Sequence, residues 1–361
     1  MSLRPRREIL EIAPYLGGDS TIEGRTDVIK LSSNEGPFGA PPGVARALAN
    51  YSDEIGRYPD NSCTLLRNEI GKYFGLDPER IVCGAGSNEL LYQLIFSFGG
   101  PGTELLMSEY GYSIYGIAGT LAGCSIVKAA EVEYTTQVDS LLAAVTSRTR
   151  IVCLANPNNP TGTCLGRDEL ARLRRELPDD VLLIVDAAYA EYVTAPDFES
   201  GKELVDSGNG NTVMTRTFSK IFGLSGARVG WCYALAHVIG VLNRVRIVFN
   251  VSGSAQAAAA AALKEEGWLE RCRDHNTAYR QLLSQQLEQA GVKVVPSQTN
   301  FVLADFGSVA GAQNADKVLR SEGIIVRPVS NYGLATCLRM TIGTANECER
   351  LAGVIGRLEF A

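Results

Sequence analysis

The segment VLLIVDAAYAEY, residues 181–192, places five consecutive apolar side chains ahead of a carboxylate, Asp186. An uninterrupted apolar run of this length predicts a strand covered on both faces, the kind found in parallel sheets flanked by helices. Similar runs rich in Val, Ile and Leu recur around it at 80–83, 104–107, 125–128, 150–154, 212–216 and 228–235. Helix-like stretches lie between most of them. In SNELLYQLIFSF, 87–98, residues Leu90, Leu91, Leu94, Ile95 and Phe98 fall on one stripe. Strands alternating with helices predict an α/β fold with a largely parallel sheet, in which ligands gather at the carboxyl ends of the strands.

Beyond these runs the pattern changes. A long helical stretch is predicted near 255–290, with the Ala-rich 255–263 buried. KVVPSQTNFVLADF (293–306), a further helix, IIVRPV (324–329) and CLRMTIGT (337–344) then predict a smaller α+β domain. The N-terminal 40 residues, with the loop-like LSSNEGPFGAPPG (31–43), are expected to join it. The expected division is 41–265 for a large domain and 1–40 with 266–361 for a small one, which suits a chain of 361 residues.

Composition narrows the function classes. Hydrophobic residues make up 45% and charged residues 20%, the balance of a soluble globular protein. A net charge of −6 leaves no electrostatic footprint for nucleic acid or an anionic membrane, so an anionic ligand must be held by a few placed arginines. The start, MSLRPRREILEIAPYLGG, lacks the apolar segment of a signal peptide, and no run of about 18 apolar residues occurs; a cytoplasmic protein is expected. The nine cysteines form no C-x-x-C pair and read as reduced core thiols. The two histidines, His237 and His275, are not at metal-ligand spacing, so no metal site is expected.

Four segments carry chemistry. GAGSNE, 84–89, follows a strand and opens a helix. Its glycines, Gly86 among them, let the backbone approach an anion, although a plain turn capped by Ser87 or Asn88 would look the same. NPNNPTG, 156–162, is a rigid polar turn that holds the Asn159 amide in one pose. Asp186 is costly at the end of an apolar run unless it meets a cation, the plainer reading being a helix cap. In TRTFSKIFGLSGARVGW, 215–231, Lys220 lies in a Ser- and Gly-rich loop eight positions before Arg228. A desolvated lysine there would be a good imine former, whereas a lone loop lysine is usually only solvated.

Taken in this order, the segments resemble the fold-type I pyridoxal-phosphate (PLP) enzymes, and among them the histidinol-phosphate aminotransferase family. The likeness runs over nearly the whole chain. It also rests on APY (13–15), LSSNEGPFG (31–39), RYPD (57–60), EYGYSIY (109–115), DAAY (186–189), VRPVSNYG (326–333) and LRMTIGT (338–344). The family fold is a large domain with a mostly parallel seven-stranded sheet covered by helices, plus a smaller α+β domain. The resemblance implies that Lys220 carries PLP as a Schiff base and that Asp186 pairs with the pyridine N–H. Asn159 and Tyr189 would hydrogen-bond the ring hydroxyl, and Tyr112, with Tyr110 as alternative, would stack on the ring. Gly86, Ser87, Asn88, Ser219 and Arg228 would hold the phosphate, joined by Tyr58 from the neighbouring subunit of a homodimer. Arg339, helped by Arg327, Tyr15 and Asn34, would bind the substrate's acidic end. The sequence departs from the family at Asn88, where an acidic residue is usual, and at Ala187, where D-E-A-Y is common.

The implied reaction is transfer of an amino group from a small donor to a 2-oxo acid, histidinol phosphate and 2-oxoglutarate being the first reading. Two alternatives share the scaffold: an aromatic-amino-acid or phenylpyruvate aminotransferase, and a PLP-dependent decarboxylase of a phosphorylated amino acid. A guanidinium fork suits phosphate and carboxylate alike, so the arginines do not choose between donors. A PLP-fold transcription regulator would need a DNA-binding module, for which the motifs that begin by residue 15 leave no room.

Overall fold

The computed structural model describes residues 3–14, 17–208 and 211–357. Each of the seven apolar runs forms a strand: β1 (Ile81–Gly84), β2 (Glu104–Ser108), β3 (Ser125–Ala129), β4 (Thr149–Ala155), β5 (Leu182–Asp186), β6 (Thr212–Thr217) and β7 (Gly230–Ala234). They make one sheet in the order β1-β7-β6-β5-β4-β2-β3. Every pairing is parallel except those of β7, which runs antiparallel between β1 and β6.

Alternation of side chains explains why the apolar runs are continuous. Leu105 and Met107 of β2, Ile151 and Cys153 of β4, and Leu182 and Ile184 of β5 enter one core. Leu106, Val152, Leu154, Leu183 and Val185 enter the core on the opposite face. The helix Ser87–Phe98 lays Leu90, Leu91, Leu94 and Ile95, all fully buried, onto the first face. Each such side chain contributes about 1.5–3 kcal/mol by leaving water, so the stripe fixes how the helix starts relative to β1.

The expected long helix is two helices, Gly253–Ala262 and Trp268–Gln289. Between them the chain turns at Gly267, with φ +70°, a left-handed conformation that ends one helical run before the next begins. The Ala-rich helix is buried as expected. After it comes a four-stranded antiparallel sheet in the order β8 (Lys293–Val295), β9 (Phe301–Asp305), β11 (Leu334–Thr341), β10 (Arg327–Val329). Ile29–Lys30 pairs in parallel with Ile324–Ile325 as a separate two-stranded sheet, and Thr341 N of β11 donates to Leu31 O, which ties the N-terminal segment to the four-stranded sheet. The nine cysteines are all free, and all but Cys164 are buried. Among the described residues no helix is long and apolar enough to cross a membrane, and no group of three or more His, Cys, Asp or Glu is placed to hold a metal.

Candidate active site

The parallel strands deliver their carboxyl ends to one edge of the sheet, and β7, being antiparallel, begins there. Asp186 ends β5, Asn159 follows β4, Ser219 and Lys220 follow β6, and Arg228 precedes β7. These residues and Asn34, Ser87, Asn88, Tyr112, Tyr189, Arg327 and Arg339 line one cavity of about 300 Å³. Gly86 stands behind it as the N-cap of the helix Ser87–Phe98. Tyr58 lies elsewhere: the residue is 83% exposed, and its ring stacks on that of Phe249 with centres 4.5 Å apart. Tyr15 lies outside the described residues. Of the two aromatic candidates, Tyr112 faces the cavity, whereas Tyr110 packs near Tyr134 among Val295, Leu303 and Val329.

The GAGSNE turn is not a side-chain-capped turn. No side chain caps its helix, and Asn88 Nδ2 instead donates to the Tyr112 hydroxyl at 3.3 Å. Gly86 has φ +81°, and a Cβ there would lie 2.4 Å from Arg228 Nη2. A Cβ on Gly230 would lie 2.4 Å from Ser87 N. Both glycines are therefore required for the guanidinium and the start of β7 to close on the helix N-terminus. Arg228 Nη1 also donates to Ser219 Oγ at 3.3 Å and to Ser225 O at 2.9 Å. An uncapped helix start, two serine hydroxyls and an arginine form a donor set that fits a phosphate.

Asp186 is not a helix cap. It is buried, its Oδ2 accepts from Tyr115 Oη at 2.8 Å, and its Oδ1 accepts from Thr215 Oγ1 at 3.0 Å. Burial pushes its carboxyl up, and these hydroxyls act against that shift. Lys220 Nζ donates to the carbonyls of Asn34 (3.3 Å) and Ser33 (3.5 Å), and sits 5.5 Å from the centre of the Tyr189 ring. Desolvation first, then the nearby Arg339 guanidinium, lowers its pKa to about 8. Asn34, held in the left-handed region at φ +56°, donates from Nδ2 to the Tyr189 hydroxyl at 2.8 Å and is fixed by Thr341. Burial raises the Tyr189 phenol to about 12, so it stays protonated.

Arg339 is 7% exposed; it donates to Asn159 Oδ1 at 2.6 Å and to Ser32 O at 3.0 Å, and its Nε has no partner among the described residues. Arg327 donates to Gly17 O at 2.6 Å. The cavity therefore holds two separate anion-binding devices, with an amine and a buried carboxylate in the same space. Neither Thr215 nor Tyr115 was singled out from the sequence as a partner of Asp186. The signal for Tyr115 was its phenol in an apolar segment, since a buried Tyr hydroxyl needs a partner.

A family model, aminotransferase class I and II, matches residues 26–355. The chain belongs to this family and is a PLP-dependent aminotransferase. Within it, the chain is 54% identical over 349 residues to the histidinol-phosphate aminotransferase of Granulibacter bethesdensis, covering 97% of this chain and 94% of that one. It is 52% identical over 345 residues to the enzyme of the same name from Paramagnetospirillum magneticum, covering 95% of each. The crystal structure of histidinol-phosphate aminotransferase from Sinorhizobium meliloti in complex with pyridoxal-5'-phosphate superimposes with a TM-score of 0.89 at 27% identity, covering 99% of this chain and 97% of that one.

Proposed function

We propose that this enzyme transfers the amino group of histidinol phosphate to 2-oxoglutarate in histidine biosynthesis, with Lys220 as the residue that carries PLP. The pair of anion sites in one cavity supports a phosphate-bearing cofactor together with an acidic substrate, and the choice of histidinol phosphate among such donors rests on the similarity to enzymes named for it. The Ser87, Ser219 and Arg228 cup suits the cofactor's phosphate, and Arg339 with Arg327 suits a second acidic group. When bound, the cofactor supplies an aldehyde that captures amines and a protonated ring that draws electrons from the substrate Cα. Asp186 holds the ring nitrogen's proton. Asn159 and Tyr189 orient the ring hydroxyl, Gly86 and Asn88 complete the cup, and Tyr112 covers a ring face. Lys220 Nζ would hold the cofactor and, when free, would be the base placed to accept the substrate's Cα proton; its lowered pKa keeps a large share of the free amine neutral near pH 8. Asn34, Arg339, Arg327 and Tyr15 hold the substrate. The chain is assigned to a large domain, 41–265, and a small one, 1–40 with 266–361, and the protein to the cytoplasm.

Loaded enzyme mixed with one donor at a time and no 2-oxo acid tests the substrate. Histidinol phosphate should convert the visible absorption of the cofactor faster than phenylalanine, tyrosine or histidine by roughly tenfold or more, the equivalent of one charge-assisted hydrogen bond. Faster conversion by phenylalanine or tyrosine would make it an aromatic aminotransferase, and release of carbon dioxide would make it a decarboxylase.

The working unit is assigned as a homodimer in which Tyr58 reaches the partner's cofactor phosphate. Tyr58 and Phe249 form an exposed stack, with Ile247 (67% exposed) and Val248 (69%) beside it in sequence, and such an apolar patch suits a second copy of the chain. Tyr58→Ala and Lys220→Ala chains, each inactive alone, should regain activity when unfolded together in equal amounts and refolded. Random pairing around a two-fold axis restores about a quarter of the sites. Mixtures that stay inactive would remove Tyr58 from the shared site.

A further inference from the structure

The side chains that touch Asp186 outside the cavity are neutral. Tyr115 is fully buried and donates to Oδ2. Thr215, also fully buried, is the cross-strand partner of Asp186 in the sheet and donates to Oδ1. Among the described residues no arginine or lysine forms a salt bridge with Asp186. A carboxylate at this depth would take up a proton unless donors stabilised its charge. Neutral donors do this differently from a cation: they stabilise the charge and leave it uncompensated. The site thus retains a full negative charge for a cationic partner inside the cavity. Burial and the Asp186 charge push the Tyr115 phenol well up, so it stays a donor. Tyr115 also packs edge-on against Tyr112, with ring centres 5.7 Å apart and planes at 89°, and so braces the cavity wall as well.

We infer that Tyr115, together with Thr215, is a positioning residue that keeps the Asp186 carboxylate ionised and aimed at the cofactor's ring nitrogen. This rests on the assignment of Asp186 to that nitrogen. Without the phenol, the balance between ring and carboxylate shifts: the proton moves from the ring nitrogen to Asp186, and both groups become neutral. Atoms and charge balance, since the same proton changes owner and nothing else is required. The ring then draws electrons less strongly, so the effect falls on the chemical step.

The test uses holoenzyme reconstituted with PLP labelled with ¹⁵N in the ring. The ¹⁵N shift is compared in the wild type, Tyr115→Phe, Thr215→Val and Thr215→Ser. The wild type should show a protonated ring. Tyr115→Phe should move well toward the neutral-pyridine value, Thr215→Val should move the same way, and Thr215→Ser, which keeps its hydroxyl, should stay with the wild type. In parallel, kcat of Tyr115→Phe should fall by about tenfold with little change in KM, as for an electrostatic effect exerted in the transition state. If Tyr115→Phe does not fold, the Val and Ser variants of Thr215 carry the comparison. A protonated ring in the wild type and unchanged shifts in the variants would overturn this inference and leave the role of Asp186 standing. A neutral ring in the wild type would remove the Asp186 assignment itself.

Discussion

Lys220→Ala should lower transamination by about four orders of magnitude, since it removes both the covalent anchor and the base held beside the reacting carbon. The loss should fall on the chemistry and leave the fold intact. In the folded chain the Lys220 amine has a pKa lowered to about 8, mainly by desolvation. Folding therefore disfavours its charged form. That cost is present in full below pH 8 and fades as pH rises toward the ordinary lysine value. Alanine removes the cost, so the melting temperature of the cofactor-free variant at pH 7 should equal or exceed that of the cofactor-free wild type. Turnover near wild type would contradict the mechanism. Lost activity with a collapsed fold would say nothing specific about the amine, which is why the melting curve belongs with the rate.

Asp186→Ala should slow proton abstraction from the substrate by about 10²–10³-fold, the range for losing one charge placed where the transition state needs it. It should also loosen the cofactor, because the ring would lose its one charged partner and be retained by the Lys220 linkage, the neutral groups around it and the cup at Ser87, Ser219 and Arg228. Stopped-flow half reactions give the first effect, and cofactor retained after gel filtration gives the second. Asp186→Asn separates charge from shape. It can still hydrogen-bond Thr215 and Tyr115 but offers no negative charge, so it should resemble Ala in rate. An unaltered rate and visible spectrum in both variants would remove Asp186 from its role.

All the strands of the large sheet except β3 were legible because strands buried on both faces leave a one-dimensional signature: no polar residue is tolerated between Leu182 and Val185. β3, at a sheet edge, exposes Ser125 and Lys128 and was legible only from its short apolar centre. Lys220, Asp186, Asn159 and Arg228 were legible because each sits at the strand ends where such sheets bind ligands. The long helix was misread since Gly267 is one glycine among 37, and periodicity on either side of it looks continuous. Thr215 could not be found as a partner of Asp186 because that contact depends on the register of β5 against β6, a tertiary fact. The same holds for Gly230, whose need to be glycine arises only where β7 passes Ser87 N. The choice of Tyr112 over Tyr110 also required three dimensions, since the two are separated by a single residue, and only packing against Tyr134 turns one of them away.

The central claim, that Lys220 carries the cofactor, is tested most directly by reducing the holoenzyme with borohydride, digesting it and mapping the modified lysine by mass spectrometry. The pyridoxyl group should be found on the peptide containing Ser219-Lys220-Ile221, at Lys220 and in near-stoichiometric amount. A stoichiometric label on any other lysine, or none on an enzyme that is yellow and active, would contradict it.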